Sequence, residues 1–415
     1  MKRVMNQCLF PAKVGAGRFA LEHLPFDLSG YGASRPLVVV TEEADRAEVL
    51  KPLEKAFRGS GLSMGIYTMD GGATPDAVKE AWGHFSEGGF DSVIAVGGGA
   101  VLDLAKCLSV AGGAGPDALR ALMKGEERCQ GQAPLAWVPT LDLDGREAWP
   151  VATMGDNELF SMDLVPCIIT IDPRMMVGGT SETLIEAAMG ALASALSLFE
   201  GDMAGSLSRP YARMVSRQVM AGLLPMLERQ DETGLLARLK GAIWSPSRED
   251  EMAFVTALAL SGALYESYNQ SLTAALARVL AQPGRHSQNT LAAVLSPSVL
   301  SWVHRKGEVS LSPLLMALDG PEAFCAAPQD QRAELGIMRV RELLNRLWYA
   351  TETRFPRTLA DLGLATDALG TLCDAVCEGL EGWSAQDVEA ILMGAGLSLS
   401  RMEEPQVVES TEEVV

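Results

Sequence analysis

Histidine is scarce in this chain: His23, His84, His286 and His304 are the only four among 415 residues. A metal centre built on several imidazoles therefore has little to draw on. Seven cysteines are scattered without a CxxC pair. Cys373 and Cys377 are four apart on an expected helix and read as small apolar core residues of a reducing compartment, rather than as a metal or redox pair. Positive charge is also short, with 34 Lys and Arg against 53 Asp and Glu, a net charge of −19. Such a field repels phosphate backbones and excludes nucleic acid as a partner. No uncharged apolar run reaches about 18 residues, so no membrane span is expected. Residues 187–199 come nearest, and their length suits a buried core helix. Met1-Lys2-Arg3-Val4 carries a basic pair with no long apolar run behind it, so no secretory signal is expected and the location read from the sequence is cytoplasmic.

The chain is long enough for two domains and a large core, and 48% of it is hydrophobic. Residues 10–175 alternate strand and helix signals. Strands are expected over 37–41, 63–69, 93–96 and 135–138. Helices are expected over 45–57 and 75–87, the second capped by Thr74. This alternation implies a parallel sheet with helices on both faces. After residue 176 the strand signals largely vanish, and long helical patterns cover 181–200, 208–230, 249–281, 290–304 and 331–351. The expected organisation is an α/β nucleotide-binding domain over 1–175, an all-helical domain over 176–402 and an acidic, solvated tail over 403–415.

The richest stretch is Asp91-Ser92-Val93-Ile94-Ala95-Val96-Gly97-Gly98-Gly99-Ala100-Val101-Leu102-Asp103-Leu104-Ala105-Lys106. An apolar strand runs into three glycines, and a helix starts at about Ala100. Without Cβ atoms, Gly97, Gly98 and Gly99 let a pyrophosphate approach the backbone, and the helix N-terminus favours an anion there. A tight turn with no ligand is the alternative. Strand 37–41 ends at Glu42, whose carboxylate suits the ribose hydroxyls of adenosine and repels a 2′-phosphate, which points to NAD over NADP. The other reading of Glu42 is a charge at the start of the next helix.

This glycine segment resembles the GGGSxxDxAK motif of the iron-containing (group III) alcohol dehydrogenases, with Ala100 in place of the serine and Asp103 and Lys106 kept. Three further segments carry the likeness: Pro166-Cys167-Ile168-Ile169-Thr170-Ile171-Asp172-Pro173, Ser261-Gly262-Ala263-Leu264-Tyr265, and Phe355-Pro356-Arg357-Thr358-Leu359-Ala360-Asp361-Leu362-Gly363. The resemblance implies a Rossmann-like dinucleotide-binding domain followed by an all-α domain, the dehydroquinate synthase-like architecture, with a cleft between them. It also implies cofactor contacts at Gly97, Gly98, Gly99, Asp103, Glu42 and Thr140. The family loop PTTAGTGSE is altered to Pro139-Thr140-Leu141-Asp142-Leu143-Asp144-Gly145-Arg146-Glu147, which keeps Pro139, Thr140, Gly145 and Glu147.

The family's metal ligands, one Asp and three His, are not kept. In the stretch similar to DALTHAIE, Gly190 stands at the aspartate position and Ser194 at the first histidine. In the stretch similar to HAxAH, Ala274 and Arg278 replace the two histidines. In the stretch similar to PHGxxNAxLLP, with its register set by Pro297, Gln288 takes the last ligand position. Gly, Ser, Ala and Gln are poor donors to Fe²⁺ or Zn²⁺, so no catalytic metal is expected. Arg278 and His286 remain to serve as electrophile and proton donor. Two function classes follow. One is an NAD-linked, metal-independent oxidoreductase of a small alcohol or carbonyl substrate, a homo-oligomer such as a dimer. The other is a catalytically silent relative acting as a nucleotide-binding or protein-interaction subunit.

Overall fold

The computed structural model describes residues 12–42, 49–124, 131–201, 207–239, 247–281, 286–364 and 384–397. Cys373, Cys377 and the 403–415 tail lie outside these. Runs such as Leu37-Val38-Val39-Val40 and Val93-Ile94-Ala95-Val96 are apolar at every position because the strands they form are covered on both faces. The strands are β1 (Lys13–Ala16), β2 (Pro36–Thr41), β3 (Gly65–Met69), β4 (Ser92–Val96), β5 (Leu135–Val138) and β8 (Ile168–Ile171). They form one parallel sheet in the order β1-β8-β5-β4-β2-β3. The edge strand β3 alternates partly buried and exposed residues before the buried Met69.

Helices α1 (Leu24–Gly30), α2 (Lys51–Phe57), α3 (Pro75–Glu87), α4 (Gly99–Ala114) and α5 (Pro116–Met123) connect the strands. Thr74 caps α3 by accepting from the Ala77 amide, as its sequence position suggests. The chain leaves β2 for β3 at the edge, then crosses back to β4 on the other side of β2. The carboxyl ends of β2 and β4 therefore flank a topological switch point, where open α/β sheets form a crevice. Pairing of Val39 with Ala95 places Glu42, just past β2, beside the glycines that follow β4.

An antiparallel hairpin, β6 (Val151–Met154) and β7 (Asn157–Phe160), was not expected from the alternation of the first domain. Its two-residue turn, Gly155-Asp156, has positive φ at Gly155 only, the pattern of a Gly-first hairpin turn. Polar residues Asn157 and Glu158 hide the strand signal, because only Leu159 of β7 is buried.

Beyond Ile171 the described elements are helical: α6 (Ser181–Leu196), α7 (Arg209–Leu239), α8 (Arg248–Ser261), α9 (Tyr265–Asn269), α10 (Leu272–Leu280), α11 (Gln288–Lys306), α12 (Ser312–Asp319), α13 (Pro321–Ala326), α14 (Arg332–Ala350) and α15 (Ala385–Gly394). Helix α6 starts with a reciprocal cap between Thr180 and Thr183. By length and hydropathy alone, residues Glu182–Glu200 are apolar enough to cross a bilayer, but 83% of that window is buried inside the protein. The single helix expected over 249–281 is broken into α8, a 3-10 turn, α9 and α10. Ser271 restarts the chain as the cap of α10, accepting from the Ala274 amide.

Candidate functional site

The glycines after β4 serve distinct steric needs. Gly97 (φ 130°) and Gly99 (φ 49°) occupy backbone conformations that side chains disfavour. Gly98 is required by close approach: a Cβ there would lie 2.3 Å from the Asp142 carbonyl oxygen and 2.9 Å from Glu147 Oε1. The bend is fixed by the buried Trp137, whose indole N–H donates to the Gly97 carbonyl at 2.6 Å. The space beside Gly99 is open, with no atom within 4 Å of the Cβ position. Ala100 is exposed. Helix α4 therefore begins with a side-chain-free cap at Gly98, a half-buried Gly99 and an exposed Ala100, with Val101 and Leu102 buried behind them.

The altered loop 139–147 lies against this bend. Its organiser is Glu147, 3% exposed, whose carboxylate accepts from the Asp144 amide (2.6 Å) and the Gly145 amide (3.0 Å). Burial, with neighbouring Asp144, pushes the Glu147 carboxyl up to about 8. Thr140 is buried at the start of the loop, and its hydroxyl is 3.4 Å from the Asp142 amide. Asp142 is exposed. Arg146 offsets the local negative charge through Glu158 (3.2 Å) and Asp144 (3.5 Å).

Asp103 and Lys106 of α4 face the same cluster. Burial raises the Asp103 carboxyl, against the pull of Lys106. Lys106 is fully buried, which lowers its ammonium pKa, and it donates to the carbonyls of Trp149 (3.0 Å) and Val151 (2.8 Å). These residues of the GGGSxxDxAK-like segment thus brace the loop and hairpin from within. Asp103 is only partly buried.

On the helical side, Gly190, Ser194 and Ala274 are buried, whereas Gln288 is exposed at the start of α11. The Ser194 hydroxyl donates within its own helix to the Gly190 carbonyl at 3.0 Å. The place beside Gly190 is filled by Asn289: a Cβ on Gly190 would lie 2.4 Å from Asn289 Cγ. The Asn289 amide donates across to the Asp144 carbonyl at 2.8 Å. Among the described residues no group of three His, Cys, Asp or Glu could hold a metal ion. The residues at the four ligand positions do not fit one.

Arg278 is exposed in the last turn of α10, where its guanidinium donates to the side-chain oxygen (3.0 Å) and carbonyl (2.9 Å) of Asn269. It lies near Tyr265 and Tyr268, which pack on Trp149 with ring centroids 5.2 and 5.3 Å apart. Burial pushes the Tyr265 phenol up to about 12, and Arg278 pulls it down. His286 instead lines a separate cleft of about 220 Å³ with Glu182, Glu186, Thr290 and Arg354. Arg278 is not among that cleft's lining residues, so the two expected catalytic groups do not share it. The other histidines sit apart: His84 lies between Tyr67 and Phe90 at 5.8 Å from each ring, and His304 is in the last turn of α11.

Sequence reasoning missed Asn289 and the bracing role of Glu147 and Lys106. A usable signal for the first was a glycine, Gly190, inside an otherwise apolar helix. An interior helical glycine costs roughly 0.5–1 kcal/mol relative to alanine and needs a close neighbour to explain it.

Comparison with known proteins agrees with this architecture. Residues 11–173 match the family model "Iron-containing alcohol dehydrogenase". The chain is 24% identical over 382 residues to Long-chain-alcohol dehydrogenase 1 of Geobacillus thermodenitrificans, covering 89% of each. The structure of a 1,3-propanediol oxidoreductase superposes with a TM-score of 0.70 at 18% identity, covering 94% of this chain and 100% of that one. A sulfoacetaldehyde reductase from Bifidobacterium kashiwanohense, solved with NAD+, superposes with a TM-score of 0.68 at 13% identity, covering 95% and 99%. A Rossmann-like sheet followed by an all-helical half is thus the shared fold, and residues 11–173 carry the similarity to the iron-containing alcohol dehydrogenase family model.

Proposed function

We propose that this protein is an NAD-linked oxidoreductase that interconverts a small alcohol and its carbonyl without a divalent metal. In this reading it works in the cytoplasm as a homo-oligomer, a dimer in its simplest form. The observation that carries the reading is the bend at the switch point, where Gly99 and Ala100 open the first turn of α4 beside the end of β2. The amides there and the helix dipole would hold a diphosphate. Glu42 would accept from the adenosine ribose and disfavour a 2′-phosphate, giving NAD preference over NADP. When bound, the dinucleotide supplies or accepts the hydride.

Metal independence rests on the small residues Gly190, Ser194 and Ala274 and on Asn289 beside them. Without a Lewis acid, a cation must stabilise the developing charge on the substrate oxygen. Arg278, held in one orientation by Asn269, has that role in this reading. His286 lines a different cleft from Arg278, so in this reading the proton reaches the substrate oxygen through water. The sulfoacetaldehyde reductase and a maleylacetate reductase from Rhizobium sp. are structural neighbours named for reducing anionic substrates. A carboxylate- or sulfonate-bearing carbonyl would suit a guanidinium in the same way.

A second reading is favoured by the placement of Arg278 and His286 apart: a nucleotide-binding subunit that no longer turns over. NADH oxidation against a panel of aldehydes and 2-oxo acids, with and without chelator, separates the two. Activity that survives chelator and is lost in Arg278→Ala supports the first. NADH binding with no turnover across the panel supports the second. Activity abolished by chelator and restored by zinc or iron overturns the metal-free mechanism.

A further inference from the structure

We propose that Gly190 and Asn289 form a size-matched pair that closes the family's metal position and ties the helical half to the cofactor loop, making Asn289 a positioning residue. The inference rests on the cofactor reading above for its binding readout, but not for its packing readout. Asn289 is buried, 8% exposed, at the second position of α11. A Cβ on Gly190 would meet three of its side-chain atoms, Cγ at 2.4 Å, Oδ1 at 2.6 Å and Cβ at 2.8 Å. On the other side, a Cβ on Gly145 would lie 2.4 Å from Asn289 Nδ2. The amide is therefore clasped between two glycines, one on α6 and one on the loop.

Its donor is spent on the Asp144 carbonyl at 2.8 Å. The amides of Asp144 and of the next residue, Gly145, are taken by Glu147. The Asp144–Gly145 peptide is thus gripped from the sheet side by Glu147 and from the helical side by Asn289. That same loop presses its Asp142 carbonyl and Glu147 carboxylate against Gly98. A path of direct contacts runs from α11 through the loop to the proposed diphosphate seat. In the register that aligns Gln288 with the last family ligand, Asn289 falls on the glycine of the PHGxxNAxLLP-like stretch, while Gly190 falls on the aspartate of the DALTHAIE-like stretch. The two positions have exchanged bulk. An aspartate at 190 and this asparagine do not fit together, and a neutral amide already bonded to a carbonyl is a weak ligand for a divalent cation.

A reciprocal swap tests the pair, using Gly190→Ala, Asn289→Gly and the double variant. Glycine is needed at 289 because the Asn289 Cβ itself obstructs a methyl at 190. Urea unfolding should show Gly190→Ala destabilised and the double variant partly recovered relative to it, since the new methyl enters freed space. NADH fluorescence titration should show affinity weakened about fivefold in Asn289→Gly, the worth of one neutral hydrogen bond. That loss should persist in the double variant despite its recovered stability. Strictly additive stabilities, or a Gly190→Ala variant as stable as the parent, would overturn the pair. Recovery of NADH affinity along with stability would overturn the positioning role. If the parent binds no NADH at all, the cofactor reading and the positioning role both fail, while the unfolding cycle still decides the packing claim. Stoichiometric zinc uptake by the parent would overturn the closed metal position.

Discussion

Replacing Lys106 by methionine should destabilise the protein by about 3 kcal/mol, although a buried ammonium is an unfavourable group in itself. Lys106 is 1% exposed, and its Nζ bridges the carbonyls of Trp149 and Val151 at 3.0 and 2.8 Å. Methionine keeps most of the stem volume, so little is lost in packing. The change removes the desolvation cost that lowers the Lys106 pKa. It also leaves two buried carbonyls without that donor, each worth roughly 1–3 kcal/mol when left unsatisfied. Asp103, Asp144 and Glu147 lose a neighbouring cation as well. Breaking a buried ion arrangement from one side costs roughly 3–5 kcal/mol, so the sum falls on the destabilising side. For a urea m value of about 3 kcal/mol/M, the midpoint should drop by about 1 M with m unchanged. A variant as stable as the parent would show that the lysine only fills space and that the hairpin is held by other contacts.

Stability should also fall as pH rises from 5 to 8.5. Burial holds Glu147 up at about 8 and Glu200 at about 7, against 4.5 for the free carboxyl. The folded state binds these protons more tightly than the unfolded state, so the contribution is complete below about 4.5 and is lost as pH passes through the raised values. Urea midpoints across that range check it; Glu147→Gln should flatten the slope, and a midpoint that rises with pH would contradict the account. Gly98→Ala places a methyl 2.3 Å from the Asp142 carbonyl oxygen and must push the loop aside. We expect about a tenfold or greater loss of NADH affinity by titration, with circular dichroism unchanged; unaltered affinity would separate the loop from the cofactor. Glu42→Gln should narrow the NADH-over-NADPH preference by about tenfold, roughly 1.4 kcal/mol. An unchanged ratio would leave Glu42 as a charge at a helix start.

The sheet was legible because its central strands are apolar runs bounded by turn residues, and α3 because Thr74 and Pro75 mark its start. The bend at Gly97 to Gly99 was legible for the same local reason. The β6–β7 hairpin was not, since the exposed Asn157 and Glu158 carry no alternation that a reader can separate from a loop. The break after α8 was hidden because residues 262–264 are as buried as the interior of a helix. The glycine bend and the start of α4 lie in one contiguous segment, so their backbone geometry was visible in sequence. The helical side is assembled from α6, the 139–147 loop and α11, so Asn289 gained meaning only when Gly190 and Asp144 were found beside it. Arg278 and His286 illustrate the converse: eight positions apart, they occupy different surroundings, one bound to Asn269 and the other beside Glu182 and Glu186.

The most direct test is a crystal structure grown with NADH and excess zinc, with anomalous data at the zinc edge. Diphosphate density should lie within hydrogen-bond reach of the Gly99 and Ala100 amides, and no zinc peak should appear between Gly190, Ser194 and Ala274. A zinc ion in that space with Asn289 turned away, or a dinucleotide seated elsewhere, would contradict the account.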